Sequence, residues 1–160
     1  MLRISRLTDY GIVLLSFMAS EPEQGRSASE LAKGTELPLP TVSKLLQLLT
    51  REGLLQSQRG AKGGYSLASP PADISLAAIV SALEGPVALT LCTVDPAGDC
   101  EYEARCRVRG HLVKINLAIH QALKGITLAD VAGAPEPTLA PLLPKEDAAG
   151  MSPGAGEIRP

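Results

Sequence analysis

The sequence is poor in aromatic residues: it has no Trp, one Phe and three Tyr. Proteins hold single-stranded nucleic acid largely by stacking its bases on aromatic side chains, so this class of partner is not expected. Apolar residues still make up 45% of the chain, and most of them are Leu, Ala, Val and Ile. We therefore expect an aliphatic core and a mainly helical fold.

The sequence also has little that resembles a membrane or export segment. The apolar run GIVLLSFMAS at 11–20 has about half of the roughly 20 residues that a spanning helix needs. Asp9 interrupts the approach to this run, and Thr8-Asp9 instead predicts the capped start of a core helix over 8–20. We therefore expect a cytoplasmic protein with no membrane partner, whose cysteines are kept in a reducing compartment.

Signals of catalysis are missing as well. The two histidines, His111 and His120, have no nucleophile or paired carboxylate at a motif-like spacing. The sequence contains no glycine-rich phosphate loop. The protein is therefore not expected to be an enzyme.

The net charge of −2 hides an uneven distribution of charge. Residues 1–68 carry eight Lys or Arg against six Asp or Glu, whereas residues 69–160 carry seven against eleven. Within residues 38–68, four basic residues face a single acidic one. A polyanionic partner is therefore expected to bind this part of the chain.

Capping signals predict two further short helices after the first. Ser27 and Glu30 form a capping box that opens a second helix, which is expected to stop at Gly34. A third helix is predicted over 37–53, with prolines that suit its first turn and Gly53 as a left-handed C-cap. Its apolar residues fall on one face, which consists of Val42, Leu45, Leu46 and Leu49.

Residues 54–68 alternate in polarity around the basic, glycine-rich stretch RGAKGG and so predict a two-stranded hairpin. Three helices followed by a basic hairpin indicate a winged helix-turn-helix over 1–70. The predicted fold class is therefore mainly α with a small β-hairpin wing, followed by a long dimerisation helix. A winged helix that binds protein rather than DNA is the alternative.

The second helix of a helix-turn-helix enters the major groove, where its N-terminal residues reach base edges. The polar face of the third predicted helix and the hairpin tip therefore supply the candidate contacts to double-stranded DNA. These are Thr41, Ser43, Lys44, Gln47 and Arg51 on the helix, and Arg59 and Lys62 at the tip. Four of these side chains are basic, so the affinity is expected to fall steeply with salt.

After the prolines at 70 and 71, the chain changes character. A short helix is predicted over 75–84, and a long helical pattern runs from about 102 to 124 with Gly125 as its cap. Its apolar stripe cannot be covered by the helix itself, so a homodimer is expected; the stripe is Leu112, Ile115, Ile119 and Leu123. The predicted divisions are 71–91, a connecting helix; 92–106, a cysteine loop; 107–130, a dimerisation helix and a short C-terminal helix; and 131–160, a disordered tail rich in Pro, Gly and Ala.

All three cysteines lie in the stretch CTVDPAGDCEYEARC. Cys92, Cys100 and Cys106 are separated by seven and five residues, which matches neither the CxxC pairs of zinc ribbons nor the spacing of bacterial ferredoxins. The acidic neighbours disfavour free thiolates, whereas a bound iron centre would reverse that balance. A metal site is therefore favoured over a reactive nucleophile, with three unliganded cysteines as the remaining alternative.

These features together resemble the iron-sulfur winged-helix transcriptional regulators typified by IscR and NsrR. The matching segments are LTDYGIVLL, SASELA, TVSKLLQLLTREGLL and RGAKGGYSLA, followed by the three cysteines and a long helix. The resemblance implies a homodimeric DNA-binding regulator whose cysteines ligate an iron-sulfur cluster, 2Fe-2S or 4Fe-4S, that controls DNA binding. The run at 106–130 further resembles the branch that regulates the operon for SUF-type cluster assembly.

Three cysteines leave such a cluster one ligand short. In IscR-like members a histidine three residues after the last cysteine completes the set, but this sequence has Arg109 there and its nearest histidine is His111. In NsrR-like members an N-terminal aspartate from the partner protomer does so, and Asp9 matches that position. The resemblance therefore favours Asp9 of the partner subunit as the fourth ligand, with His111 as the less favoured candidate.

The sequence leaves two other functions open. One is a zinc-stabilised winged-helix adaptor, in which Cys92, Cys100, Cys106 and His111 form a closed structural site. The other is an iron-sulfur redox protein that does not bind DNA, which would leave the basic hairpin without a role.

Overall fold

The computed structural model describes most of the chain up to residue 133, namely residues 3–22, 24–58, 63–90, 93 and 105–133. Six α-helices and two strands lie in these ranges. They are α1 (Arg6–Ala19), α2 (Ala28–Thr35), α3 (Leu39–Arg51), β1 (Leu55–Gln58), β2 (Gly64–Leu67), α4 (Leu76–Glu84), α5 (Arg109–Lys124) and α6 (Leu128–Ala132). A single 3₁₀ turn, Pro71–Asp73, precedes α4. No helix in these ranges is long and apolar enough to cross a membrane.

Helix α1 begins before the position that the sequence predicted. Its N-cap is Ser5, whose side chain accepts a hydrogen bond of 3.2 Å from the Thr8 backbone N–H. The expected cap at Thr8-Asp9 is therefore wrong: Thr8 is 0% exposed and lies inside the helix. Ser5, three residues upstream, has a hydroxyl that can cap a helix as Thr8 can. Because Thr8 is buried within the helix, Ser5 is the cap.

Helix α2 starts as predicted and runs one residue past the predicted stop, to Thr35. Ser27 and Glu30 form the expected capping box, with bonds of 2.7 Å from the Ser27 N–H to the Glu30 carboxylate and 3.3 Å from the Glu30 N–H to the Ser27 hydroxyl. The left-handed residue at the end is Glu36 (φ 57°), so the expected stop at Gly34 is wrong. Gly34 instead admits Phe17 of α1, because a Cβ there would lie 2.3 Å from the phenyl Cζ.

Helix α3 confirms the predicted buried face. Val42, Leu45, Leu46 and Leu49 are all 0% exposed. Gly53 has φ 76°, and the next N–H, that of Leu54, donates to the Leu49 carbonyl at 2.9 Å, which closes the helix as a Schellman motif.

The predicted hairpin is present, with β1 and β2 antiparallel and Leu55 paired with Leu67. The tip at 59–62 lies outside the described residues. A further bridge joins Tyr65 of β2 to Arg26, with N–H···O bonds of 3.1 and 2.8 Å in the two directions. The hairpin is thereby attached to the segment that leads into α2.

The long C-terminal helix starts later than predicted. α5 begins at Arg109, and residues 105–108 lie outside it, whereas the sequence placed the start near 102. The apolar stripe begins only at Leu112, so periodicity did not constrain the residues before it. Gly125 is the C-cap, as predicted, and is in the right-handed region with φ −74°.

Helix α6 returns the chain to the core of the winged helix. Leu128 is 0% exposed, and backbone bonds of 2.9 Å (Leu76 N–H to Ile126 C=O) and 2.7 Å (Leu128 N–H to Ile74 C=O) fix it beside the start of α4. A capping box between Thr127 and Asp130 opens the helix. The last two residues of α6, 131 and 132, belong to the stretch that the sequence assigned to the tail.

Candidate nucleic-acid interface and cysteine segment

Helix α3 presents a polar face opposite its buried stripe. Lys44, Gln47 and Arg51 are exposed and follow at spacings of three and four residues, so they form one row along the helix. The Arg51 side chain is 69% exposed and its guanidinium lies 2.9 Å from the Glu52 carboxylate. Because this ion pair is exposed to solvent, it contributes little to stability. The Arg51 guanidinium therefore remains accessible to another anion, such as a phosphate group.

Thr41 and Ser43 lie in the N-terminal half of the same helix and are half-buried. The N-cap is Pro38, and no side chain caps the helix. Leu39, the first residue of α3, is 45% exposed, although the leucines of the stripe are fully buried. Leu39 precedes Val42 by three positions and Leu46 by seven, so the sequence pattern places it with the buried stripe and gives no sign of its exposure.

The hairpin supplies the second part of the candidate interface. Its tip residues Arg59 and Lys62 lie outside the described residues, so their predicted role stays a prediction. The second strand of the hairpin is held near its tip-side end by Arg26, which bridges Tyr65 and whose guanidinium stacks 4.8 Å from the centre of the Phe17 ring and pairs with Glu21. The orientation of the hairpin is therefore tied to α1 and α2 as well as to α3.

Asp9, the favoured fourth ligand, is exposed in the first turn of α1. The start of this helix is fixed by Glu84, the last residue of α4. The Glu84 carboxylate accepts a bond of 2.7 Å from the Ser5 backbone N–H. Hydrogen bonds from the Thr8 side chain and then from the Ser5 backbone hold the pKa of Glu84 below its usual value. The N-terminal end of α1, the helix that contains Asp9, is thus hydrogen-bonded to the last residue of α4. The chain continues from this residue toward the cysteines.

The three cysteines are only partly described. Cys106 is a free thiol, half-buried, three residues before the start of α5, and Cys92 and Cys100 lie outside the described residues. His111 is exposed in the first turn of α5. Within the described part of the chain, no three side chains of His, Cys, Asp or Glu are gathered as a metal site would require. The chemistry of the candidate ligands, three cysteine thiolates with one carboxylate or imidazole, fits an iron-sulfur cluster.

Helix α5 is amphipathic but has no buried residue. It contacts α4 and holds the segment after α4 through Asn116, which accepts from the Leu89 N–H at 3.0 Å and donates to the Val87 carbonyl at 3.2 Å. Ile115, which belongs to the predicted apolar stripe, remains 49% exposed. Leu117, two positions further on, lies on the other side of the helix and is 53% exposed.

Comparison with known proteins agrees with this arrangement. The family model named Rrf2, described as an iron-dependent transcriptional regulator, matches residues 4–134. Protein aau3 of Rhizobium meliloti (strain 1021) is 30% identical over 130 residues, which are 81% of this chain and 84% of that protein.

Two solved structures share the fold. CymR, the global cysteine regulator of B. subtilis, is similar with a TM-score of 0.62 and 30% identity over 82% of this chain and 97% of its own. IscR of T. potens is similar with a TM-score of 0.61 and 29% identity over 81% of this chain and 85% of its own. The family consists of regulators rather than enzymes. On these matches, the chain belongs to the Rrf2 family of winged-helix transcriptional regulators.

Proposed function

We propose that the protein is a homodimeric transcriptional regulator that binds double-stranded DNA and whose affinity for DNA is set by a bound iron-sulfur cluster. The observation that carries the DNA-binding part is the exposed polar row of α3 on a helix whose opposite face is fully buried. Because the helix is held by its buried face, the exposed side chains that would contact bases keep a fixed position relative to the major groove.

In this proposal, α3 lies in the major groove. Gln47 is suited to a bidentate contact with adenine, and Lys44 to guanine or phosphate. Thr41 and Ser43 lie nearer the N-terminal end, where hydroxyl groups can contact base edges or phosphate. Arg51, at the far end of the helix, is placed for phosphate.

Arg59 and Lys62 are proposed to contact the backbone or the adjacent minor groove from the hairpin tip. The support for this is the bridge between Tyr65 of β2 and Arg26, which fixes the tip-side end of the strand to the segment that leads into α2. Because the binding would rest on four basic residues per protomer, the logarithm of the affinity should fall linearly with the logarithm of the salt concentration.

The second copy is proposed to cover the apolar face of α5. Ile115 of the predicted stripe is 49% exposed, and the other stripe residues are only half-buried, on a helix with no buried residue. A C2 dimer through this surface would bury the same residues twice, as an isologous interface requires.

Cys92, Cys100 and Cys106 are proposed to hold the cluster, with Asp9 of the partner subunit as the fourth ligand and His111 as the less favoured one. The support is the donor chemistry and the exposed position of Asp9, together with the similarity to IscR of T. potens. When bound, a cluster would supply a redox-active centre that responds to iron supply, oxygen or nitric oxide.

The chain's own contribution would be the link from the ligands to α3. Asp9 lies on α1, and α1 is fixed to Glu84 and packs against α3. A change at the ligands can therefore shift the population between two arrangements of the DNA-binding helices. The regulated genes are proposed to be those for iron-sulfur cluster assembly, of the SUF type.

The first experiment is anaerobic purification followed by absorption spectroscopy and metal analysis. A brown protein with charge-transfer bands and bound iron and sulfide supports the proposal. A colourless protein with one zinc per chain would instead identify the zinc-stabilised adaptor.

The fourth ligand is tested by Asp9→Ala, with Asp73→Ala as a matched removal of an exposed carboxylate. Asp9→Ala is expected to change the spectrum or shorten the lifetime of the cluster while the dimer stays folded. Asp73→Ala should leave the cluster unchanged. An unaltered cluster in Asp9→Ala would reject the aspartate ligand and turn attention to His111.

A further inference from the structure

The leading end of α3 is apolar and exposed to solvent. Pro38, Leu39 and Pro40 are all exposed, and Leu39 retains 45% of its surface. Leu37, one position before this group, packs against the core of the domain. The apolar end of α3 therefore lies outside the core and is accessible to a partner that binds the N-terminal end of this helix.

Leu39 lies in the same row as two of the proposed base-reading residues. Leu39, Ser43 and Gln47 follow at i, i+4 and i+8, so their side chains form one row that turns by about 40° around the helix axis at each step. If Ser43 and Gln47 face base edges, Leu39 lies at the N-terminal end of the same row, one turn before Ser43. This is the end of a recognition helix that reaches deepest toward the bases.

The chemistry of this end restricts what it can contact. The two prolines have no backbone N–H, and no side chain caps the helix. The leucine side chain has no donor or acceptor, so it can read neither phosphate nor the polar edge of a base. The apolar group that double-stranded DNA displays in the major groove is the C5-methyl of thymine.

We propose that Leu39 contacts the C5-methyl group of one thymine in each half-site and so helps to determine the operator sequence. This inference rests on the proposed DNA binding by α3. It adds an apolar contact to a site whose other proposed contacts are polar.

The test uses an operator selected from random duplexes with the full-length protein. Each thymine of one half-site is then replaced in turn by deoxyuridine, which removes only the methyl group. Loss of one buried methyl contact should weaken binding by about fourfold at a single position and leave the other positions unchanged.

The same scan with Leu39→Ala gives the decisive comparison. Leu39→Ala should bind the thymine operator more weakly than the wild type and should lose its sensitivity to deoxyuridine at that position. Leu39→Met, which keeps an apolar side chain and a high helix propensity, should retain the sensitivity. Because Leu39 is half exposed, both variants should show the thermal unfolding of the wild type.

The outcomes separate this inference from the function on which it rests. If no duplex is selected, DNA binding itself is rejected, and the inference with it. If an operator is bound but no single thymine is sensitive, the methyl contact is rejected and DNA binding stands. If Leu39→Ala keeps the full sensitivity, another side chain reads the methyl group, and the role of Leu39 is likewise rejected.

Discussion

Replacing Leu128 by Ala should strongly lower the free energy of unfolding, because the Leu128 side chain anchors α6 in the core of the winged helix. Leu128 is 0% exposed and belongs to the same apolar cluster as Leu14, Leu45 and Ile79. Its backbone N–H also donates to Ile74. The helix that carries it, α6, has only five residues and would not be stable without this anchor.

The expected loss follows from the atoms removed. Leu128→Ala deletes three buried carbon groups, and about 0.8 kcal/mol for each gives about 2.4 kcal/mol of lost transfer free energy. The surrounding core closes only partly around the vacated space, which adds to this loss. The variant should therefore be less stable by about 3 to 5 kcal/mol.

Val131→Ala is the matched control, since it shortens an apolar side chain on the same helix that is 38% exposed. It should change the stability by about 0.5 kcal/mol or less. Urea unfolding followed by circular dichroism, at one fixed protein concentration, gives both values. If Leu128→Ala loses less than about 1 kcal/mol, or no more than Val131→Ala, α6 is not held in the core and the reasoning fails.

Three further changes test other parts of the structure. Gly64→Ala would place a Cβ 2.7 Å from the backbone of Arg26 and should lower both the melting temperature and the DNA affinity. Gly53→Ala, whose Cβ would meet nothing within 4 Å, is the control for the effect of a positive φ alone. An equal loss of DNA affinity in both variants would contradict the role of the hairpin attachment. In sedimentation the wild type should be the proposed dimer and Ile115→Glu a monomer, because the interface would bury an unpaired charge; a dimer that persists in the variant would contradict an interface through Ile115. The lowered pKa of Glu84 means that its stabilising effect is complete above the ordinary glutamate pKa of about 4.3 and is lost as the pH falls through the lower folded value; Glu84→Gln should remove this part of the acid dependence, and an unchanged stability curve would contradict the hydrogen bonds assigned to the carboxylate.

The elements that the sequence predicted best are those where several signals coincide. Leu45, Leu46 and Leu49 repeat at helical spacing, and Gly53 follows at the point where a left-handed residue can close the helix, so α3 and its buried face were predictable. The capping box at Ser27 is a local interaction between residues three apart, and it formed as expected.

The errors occurred where tertiary contacts decide between equivalent local signals. Ser5 and Thr8 can both cap a helix, and the burial of Thr8 selects Ser5. Gly34 resembles a helix stop, but it is a glycine because Phe17 packs against it. The docking of Leu128 against the core depends on residues far away in the chain, and no local pattern contains that information.

The candidate DNA-contacting face was predictable because the buried stripe of α3 determines which side chains point outward. Leu39 was missed because a sequence pattern assigns leucine to the core, and only its position at the exposed end of α3 shows otherwise. The choice between Asp9 and His111 could not come from spacing, since a ligand supplied by a second chain has no fixed distance in sequence from the cysteines.

We propose that an iron-sulfur cluster controls DNA binding by this protein. The most direct measurement is the affinity of one anaerobic preparation for its selected operator, before and after the cluster is removed by chelation, at a fixed salt concentration. The two dissociation constants should differ by about tenfold or more, the size of coupling typical of allosteric proteins. Equal affinities for the iron-loaded and iron-free protein would contradict it.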